Sequence, residues 1–263
     1  MPCFSTWGAA TLLTGALLTG ALLAPVVGRA QQVATPTPSP TADERHRQED
    51  ERLRKDWPNL ARYAAANKML PPPTLGRPRV ALMGNSITDG WPGADSTFFA
   101  NKTYELIGRG ISGQTSSQML VRFWADIIDL KPAATAILAG INDIAENNGP
   151  YDEEATMHNL MAMAELAHNH GIKVIMCSVL PAYDFPWRPN MHPAPKVVAL
   201  NKRIKAYADQ HHFVYLDYHS AMADARQGLP PTYARDEVHP TLAGYRVMEP
   251  LLLQAVARAL KSK

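Results

Sequence analysis

From Arg79 onward, short apolar runs alternate with longer segments whose apolar residues recur at helical spacing. Few folds accommodate that alternation. The runs Val80–Met83, Tyr104–Ile107, Ala134–Leu138, Lys173–Ser178 and Phe213–Leu216 have strand length. Helices are expected over Ser116–Leu130, Glu153–His170, Lys196–Gln210 and Leu242–Leu260, with Gly171 stopping the second. Five strands separated by helices predict an α/β domain whose parallel sheet is covered on both faces. In such sheets ligands bind outside the carboxyl ends of the strands.

The residues before this pattern are of a different kind. No charged side chain occurs from Trp7 to Gly28, and Gly28 and Ala30 are small residues suited to cleavage before Gln31. Residues 1–30 read as a secretory signal peptide, although no Lys or Arg precedes the apolar run. The expected location is therefore periplasmic or extracellular, or membrane-anchored through the leader if it stays uncleaved. Ala34–Ala42 alternates Thr or Ser with Pro, and Asp43–Lys55 mixes charges of both signs. Residues 31–56 are thus expected to be a spacer followed by a solvated segment. Trp57–Leu70 has helical spacing with Pro58 in its first turn, so residues 57–74 are expected to add a helix outside the domain, which extends to 263.

Charge narrows the function. The 26 Lys and Arg oppose 24 Asp and Glu, for a net charge of +2, and the leader removes only Arg29. No concentrated basic face points to nucleic acid. Of the two cysteines, Cys3 leaves with the leader, so Cys177 has no disulfide partner and reads as a core residue.

Four short motifs carry the chemistry. Ser86 sits on the turn Gly84-Asn85-Ser86 after the first strand, a suitable place for a nucleophile. Asp236 and His239 share a loop before the last helix, where both can face one cleft as an orienting carboxylate and a base. Gly110-Ile111-Ser112-Gly113-Gln114-Thr115 follows strand two, and Gly140-Ile141-Asn142-Asp143 follows strand three. An unshielded glycine N–H and an Asn amide are suitable donors to the oxyanion of acyl transfer. Two other patterns point elsewhere and fail. Gly108–Gly113 spells G-x-G-x-x-G, but no acid ends the next strand as a dinucleotide site requires. His168, His170, His192, His211 and His212 lack the spacing and carboxylate partner of a zinc enzyme.

GNSITDGW, GISGQT, GIND and DEVHP stand in the order and approximate spacing of the four blocks of the SGNH hydrolases, also called the GDSL family. The chain resembles that family from Arg79 to about Leu260. The resemblance implies a flavodoxin-like three-layer α/β/α sandwich with a five-stranded parallel sheet. It also implies Ser86 as nucleophile, His239 as general base and Asp236 as its carboxylate. The oxyanion would rest on the N–H groups of Ser86 and Gly113 and on the Asn142 side chain, with no cofactor and no metal. Asn85 departs from the family, which has Asp before the Ser, and so removes a charge near Ser86. The resemblance implies ester hydrolysis without choosing among lipases, thioesterases and acetylesterases; the Tyr, Asp, Trp and Arg of the segment Pro181–Pro195 favour short-chain esters, carbohydrate acetyl esters among them, with a small molecule or polysaccharide as partner. A lysophospholipase or lipase acting on longer acyl chains is the alternative, followed by a non-catalytic binding module on the same fold. The loop Pro181–Pro195 holds five prolines, and its Trp187 and Arg188 are expected to line the substrate.

Overall fold

The computed structural model describes residues 41–262. The expected leader, its cleavage site and most of the Pro/Thr spacer lie outside the described residues.

Two helices precede the sheet, α1 (Ala42–Lys55) and α2 (Ala61–Met69). No residue of α1 is buried, and pairs such as Arg52–Glu49 and Lys55–Glu51 line its surface. The start of α2 differs from the expected one. The Asp56 carboxylate accepts the N–H groups of Leu60 and Ala61 at 2.8 and 2.9 Å, so Asp56 organises the first turn. Pro58 is buried in the preceding turn, and Asn59 adopts φ 56°.

The sheet begins with β1 (Arg79–Gly84), followed by α3 (Ser86–Ala94) and α4 (Ser96–Phe99). Next come β2 (Glu105–Gly110), α5 (Ser116–Asp126), β3 (Ala134–Leu138), α6 (Ile141–Ile144) and α7 (Glu153–Asn169). The chain closes with β4 (Lys173–Cys177), α8 (Pro193–Gln210), β5 (Val214–Leu216), α9 (Tyr218–Met222) and α10 (Leu242–Lys261). All neighbouring strands are parallel, in the order β2-β1-β3-β4-β5. This is the flavodoxin-like order, as expected.

Every residue of β1 and β3 is buried, which is why their sequences read as unbroken apolar runs. Alternation divides β1 between two cores. Ala81 and Met83 join Met119, Phe123, Leu160, Met163 and Leu200 from α5, α7 and α8. Val80 and Leu82 join Trp91, Tyr218, Met248 and Leu252 from α3, α9 and α10. Trp91 stacks between Phe98 and Tyr245, with centroids 5.4 and 5.3 Å away.

Two expected helices have different ends. The run Ser116–Leu130 breaks at Ile127, whose φ and ψ are −127° and −62°, into α5 and a 3₁₀ turn at Ile128–Leu130. Before Pro132, Lys131 turns left-handed at φ 50°. Helix α8 begins at Pro193, where a missing N–H costs nothing, and so shortens the proline-rich loop. Cys177 is fully buried, and desolvation pushes its thiol far up, as suits a core residue.

Candidate active site

The strand order reverses about β1, with β2 on one side and β3 on the other. Three loops therefore meet at the carboxyl ends of these strands. The first is the turn at Asn85. Its buried side-chain oxygen accepts the Ile87 N–H at 3.0 Å and caps α3, which places Ser86 at the first helical position. The Ser86 N–H is one of the donors a helix N-terminus leaves without an internal partner.

The loop before α10 brings Asp236 and His239. Val238 is buried and anchors it, Glu237 turns the chain at φ 62°, and His239 faces Ser86 with Asp236 behind it. Ser86 Oγ lies 2.8 Å from His239 Nε2, and His239 Nδ1 lies 2.7 Å from Asp236 Oδ2. Asp236 Oδ1 also accepts the N–H groups of His239 at 2.7 Å and Val238 at 3.2 Å. Partial burial raises the Asp236 carboxyl, but the hydrogen bonds from His239 and Val238 and the His239 charge outweigh it. They hold Asp236 below the usual carboxylate range. An ionised carboxylate only accepts, so Nδ1 carries the imidazole proton and Nε2 is the acceptor of the Ser86 hydroxyl.

The second loop carries Gly113, at φ +78° and with nothing within 4 Å of where a Cβ would stand. Glycine is needed there for backbone conformation and leaves the N–H unshielded. At Gly110 it is needed for space, because a Cβ would lie 2.1 Å from the Asp89 nitrogen. The third loop carries Asn142, whose side-chain amide donates one hydrogen to the Gln114 carbonyl at 2.9 Å. The amide keeps a second hydrogen for an oxyanion.

Several residues that hold these groups were not singled out in the sequence. Asp89 Oδ2 accepts the Ser112 hydroxyl at 2.8 Å and its N–H at 3.3 Å. Asn147 donates to the Gly113 carbonyl at 3.2 Å. Asp143 accepts from the N–H and hydroxyl of Ser116 at 3.1 and 2.5 Å, while burial raises its carboxyl despite those bonds. Arg122 is wholly buried behind the nucleophile turn. It donates to Gln114 Oε1 at 2.6 Å, to Asp126 at 3.0 Å and to the Gly84 carbonyl at 2.9 Å. Its spacing of three residues from Met119 and four from Asp126 was the available signal, since both lie on the same buried helix face.

The two expected substrate-lining residues part company. Trp187 is 46% exposed, with its ring 5.9 Å from that of His239 and backed by Phe185 at 5.4 Å. The Nη1 of Arg188 instead donates to the carbonyls of Ala145 and Glu146 at 2.6 and 2.9 Å, tying the loop to the end of α6.

The GDSL-like lipase/acylhydrolase family matches residues 82–247, and with them all four motifs. The crystal structure of a GDSL-like lipase from Bacteroides thetaiotaomicron is 47% identical with a TM-score of 0.74, covering 78% of this chain and 100% of its own. Esterase TesA of Pseudomonas aeruginosa is 28% identical over 204 residues, 77% of this chain and 92% of that protein. An acetylxylan esterase of Geobacillus stearothermophilus is 26% identical over 162 residues, 57% of this chain and 71% of that protein. A match that runs from β1 into α10 and takes in every element of the cleft places the chain in the GDSL-like lipase/acylhydrolase family, as a carboxylic ester hydrolase.

Proposed function

We propose that the protein is an exported serine esterase that hydrolyses short-chain esters, with acetyl esters of carbohydrates as the substrate class. The observation that carries the mechanism is the hydrogen-bonded chain from Ser86 Oγ through His239 to Asp236, at 2.8 and 2.7 Å. His239 Nε2 takes the Ser86 proton as Oγ attacks the ester carbonyl. The oxyanion is received by the N–H groups of Ser86 and Gly113 and by the free hydrogen of the Asn142 amide. His239 then gives its proton to the departing alcohol, leaving an acyl-Ser86, and water deprotonated by His239 hydrolyses it. Asp236 fixes the tautomer and stabilises the imidazolium.

The exposed Trp187 supports the carbohydrate reading. A flat apolar ring beside His239 offers a face on which a sugar ring can stack while its hydroxyls stay wet. The similarity to an acetylxylan esterase agrees with it. Export rests on the leader, whose run from Trp7 to Gly28 carries no charged side chain.

One observation favours the longer-chain reading. An apolar groove lined by Tyr183, Ala194, Pro195 and Val198 also includes Arg226, which reaches Glu237 on the His239 loop at 3.8 Å. Hydrolysis of p-nitrophenyl esters from acetate to long acyl chains separates the two. Activity should peak at acetate or butyrate and fall about a thousandfold or more in Ser86→Ala. A maximum at long chains would replace the carbohydrate reading with a lipid one.

A further inference from the structure

Residues 57–69 precede the family-matched region and yet fasten directly onto the loop that carries Gly113. The Tyr63 hydroxyl donates to the Gly110 carbonyl, three residues before Gly113. The Gln114 amide, one residue after it, donates to the Pro58 carbonyl at 2.7 Å. Gln118, on the helix that follows, donates to the Trp57 carbonyl at 2.9 Å. Arg62 reaches Asp89 Oδ1 at 3.3 Å, and the other oxygen of that carboxylate holds Ser112. Asn67 accepts from Arg109 at 2.9 Å and donates to Asp126 at 2.7 Å, next to the buried Arg122. The segment therefore grips the loop on both sides of Gly113.

One of these contacts leads to a second donor. Gln114 is almost wholly buried. Its side chain spans from the Pro58 carbonyl to Arg122, and its own carbonyl is the acceptor that aims the Asn142 amide. Gly113 itself has open space around it and a backbone conformation that glycine holds only weakly, so it needs external restraint. Oxyanion stabilisation depends on donors fixed in advance, and displacements on the order of 1 Å are costly.

We propose that residues 57–69 form a strap that positions the oxyanion loop, with Tyr63 and Arg62 as its positioning residues. The strap thus sets the rate of acyl transfer and leaves substrate affinity unchanged. The inference rests on the reading of Gly113 and Asn142 as oxyanion donors. Neither strap residue touches substrate. Each acts through Gly110, Asp89 or Ser112.

The test uses the full chain and p-nitrophenyl acetate. Tyr63→Phe removes one hydroxyl from a half-buried site, and Arg62→Gln changes an exposed residue, so that variant keeps the test usable if the first fails to fold. Tyr63→Phe should lower kcat about fivefold and the double variant about 20-fold, with KM within about twofold. Each loss should shrink to under about twofold in an Asn142→Ala background, because donors that act as a unit are not additive. A loss that falls on KM, an equal factor in both backgrounds, or an unchanged kcat would overturn the strap. If Asn142→Ala itself costs less than about tenfold, the oxyanion reading fails and the strap falls with it. A larger cost beside silent strap variants would sink the strap alone.

Discussion

Asp236→Asn changes one atom and bears on the whole hydrogen-bonded chain. Three N–H groups converge on the two Asp236 oxygens: His239 and Val238 backbone on Oδ1 at 2.7 and 3.2 Å, and His239 Nδ1 on Oδ2 at 2.7 Å. An amide has one accepting oxygen and one donating nitrogen, so it must fail one side. Turning the nitrogen toward the backbone opposes two donors and costs about 1–3 kcal/mol for each group left unpaired. Turning it toward Nδ1 costs one bond and moves the imidazole proton to Nε2. The second placement wins. Nε2–H then points at Ser86 Oγ, and the base is lost while the fold is kept. The expected fall in kcat is about 10⁴, or about 5.5 kcal/mol of transition-state stabilisation. Initial rates on p-nitrophenyl acetate measure it, and a loss of under about tenfold would refute the assigned tautomer. Stability gives a second readout. The folded-state pKa of Asp236 lies below its unfolded value, so its contribution is present above about pH 4 and is lost as pH falls through the folded pKa. The gap in Tm between the parent and Asp236→Asn should be open at about pH 5 and close as pH falls below about 4.

Arg122→Met should lower stability by about 3–5 kcal/mol, because it leaves Asp126 as a buried charge without its ion-pair partner. Thermal unfolding should shift down on the order of 10 °C, and Arg122→Met/Asp126→Leu should recover part of it. An equal or larger shift in the double variant would show that the pair is not what Arg122 supplies. Trp187→Ala should leave p-nitrophenyl acetate turnover within about threefold. On an acetylated xylo-oligosaccharide it should raise KM about two- to tenfold, the worth of a ring contact of about 0.5–1.5 kcal/mol. Equal effects on both substrates would remove Trp187 from sugar binding.

The parts of the candidate site were legible because each is local. Ser86 and its cap Asn85 are adjacent, and Asp236 and His239 share four residues of one loop. The strands were legible because burial on both faces makes Val80–Met83 and Ala134–Leu138 continuous apolar runs. What holds the site together is not local. Tyr63 meets Gly110 across 47 positions, Pro58 meets Gln114 across 56, and Arg122 meets Gly84 across 38. Helical periodicity marked Ser116–Leu130 as a helix and passed over Arg122 within it, since a charge inside an apolar stripe is satisfied only by partners that folding brings in. The misplaced start of α2 has a similar origin. Pro58 suits a first helical turn, but the Asp56 carboxylate captures the N–H groups of Leu60 and Ala61 and moves the start beyond the proline.

Asn85 shows how far such local reading reaches. The family pattern has a carboxylate here, and its loss removes a charge beside Ser86. In the structure Asn85 is buried and its oxygen caps α3 through the Ile87 N–H, a task that requires an acceptor and no charge. The buried cation that reaches the adjacent Gly84 carbonyl, Arg122, is already engaged by Asp126, Gln114 and that carbonyl. A carboxylate at position 85 would therefore be buried with little left to pair with it, and desolvation would count against it. The amide keeps the turn that presents Ser86 and avoids that cost.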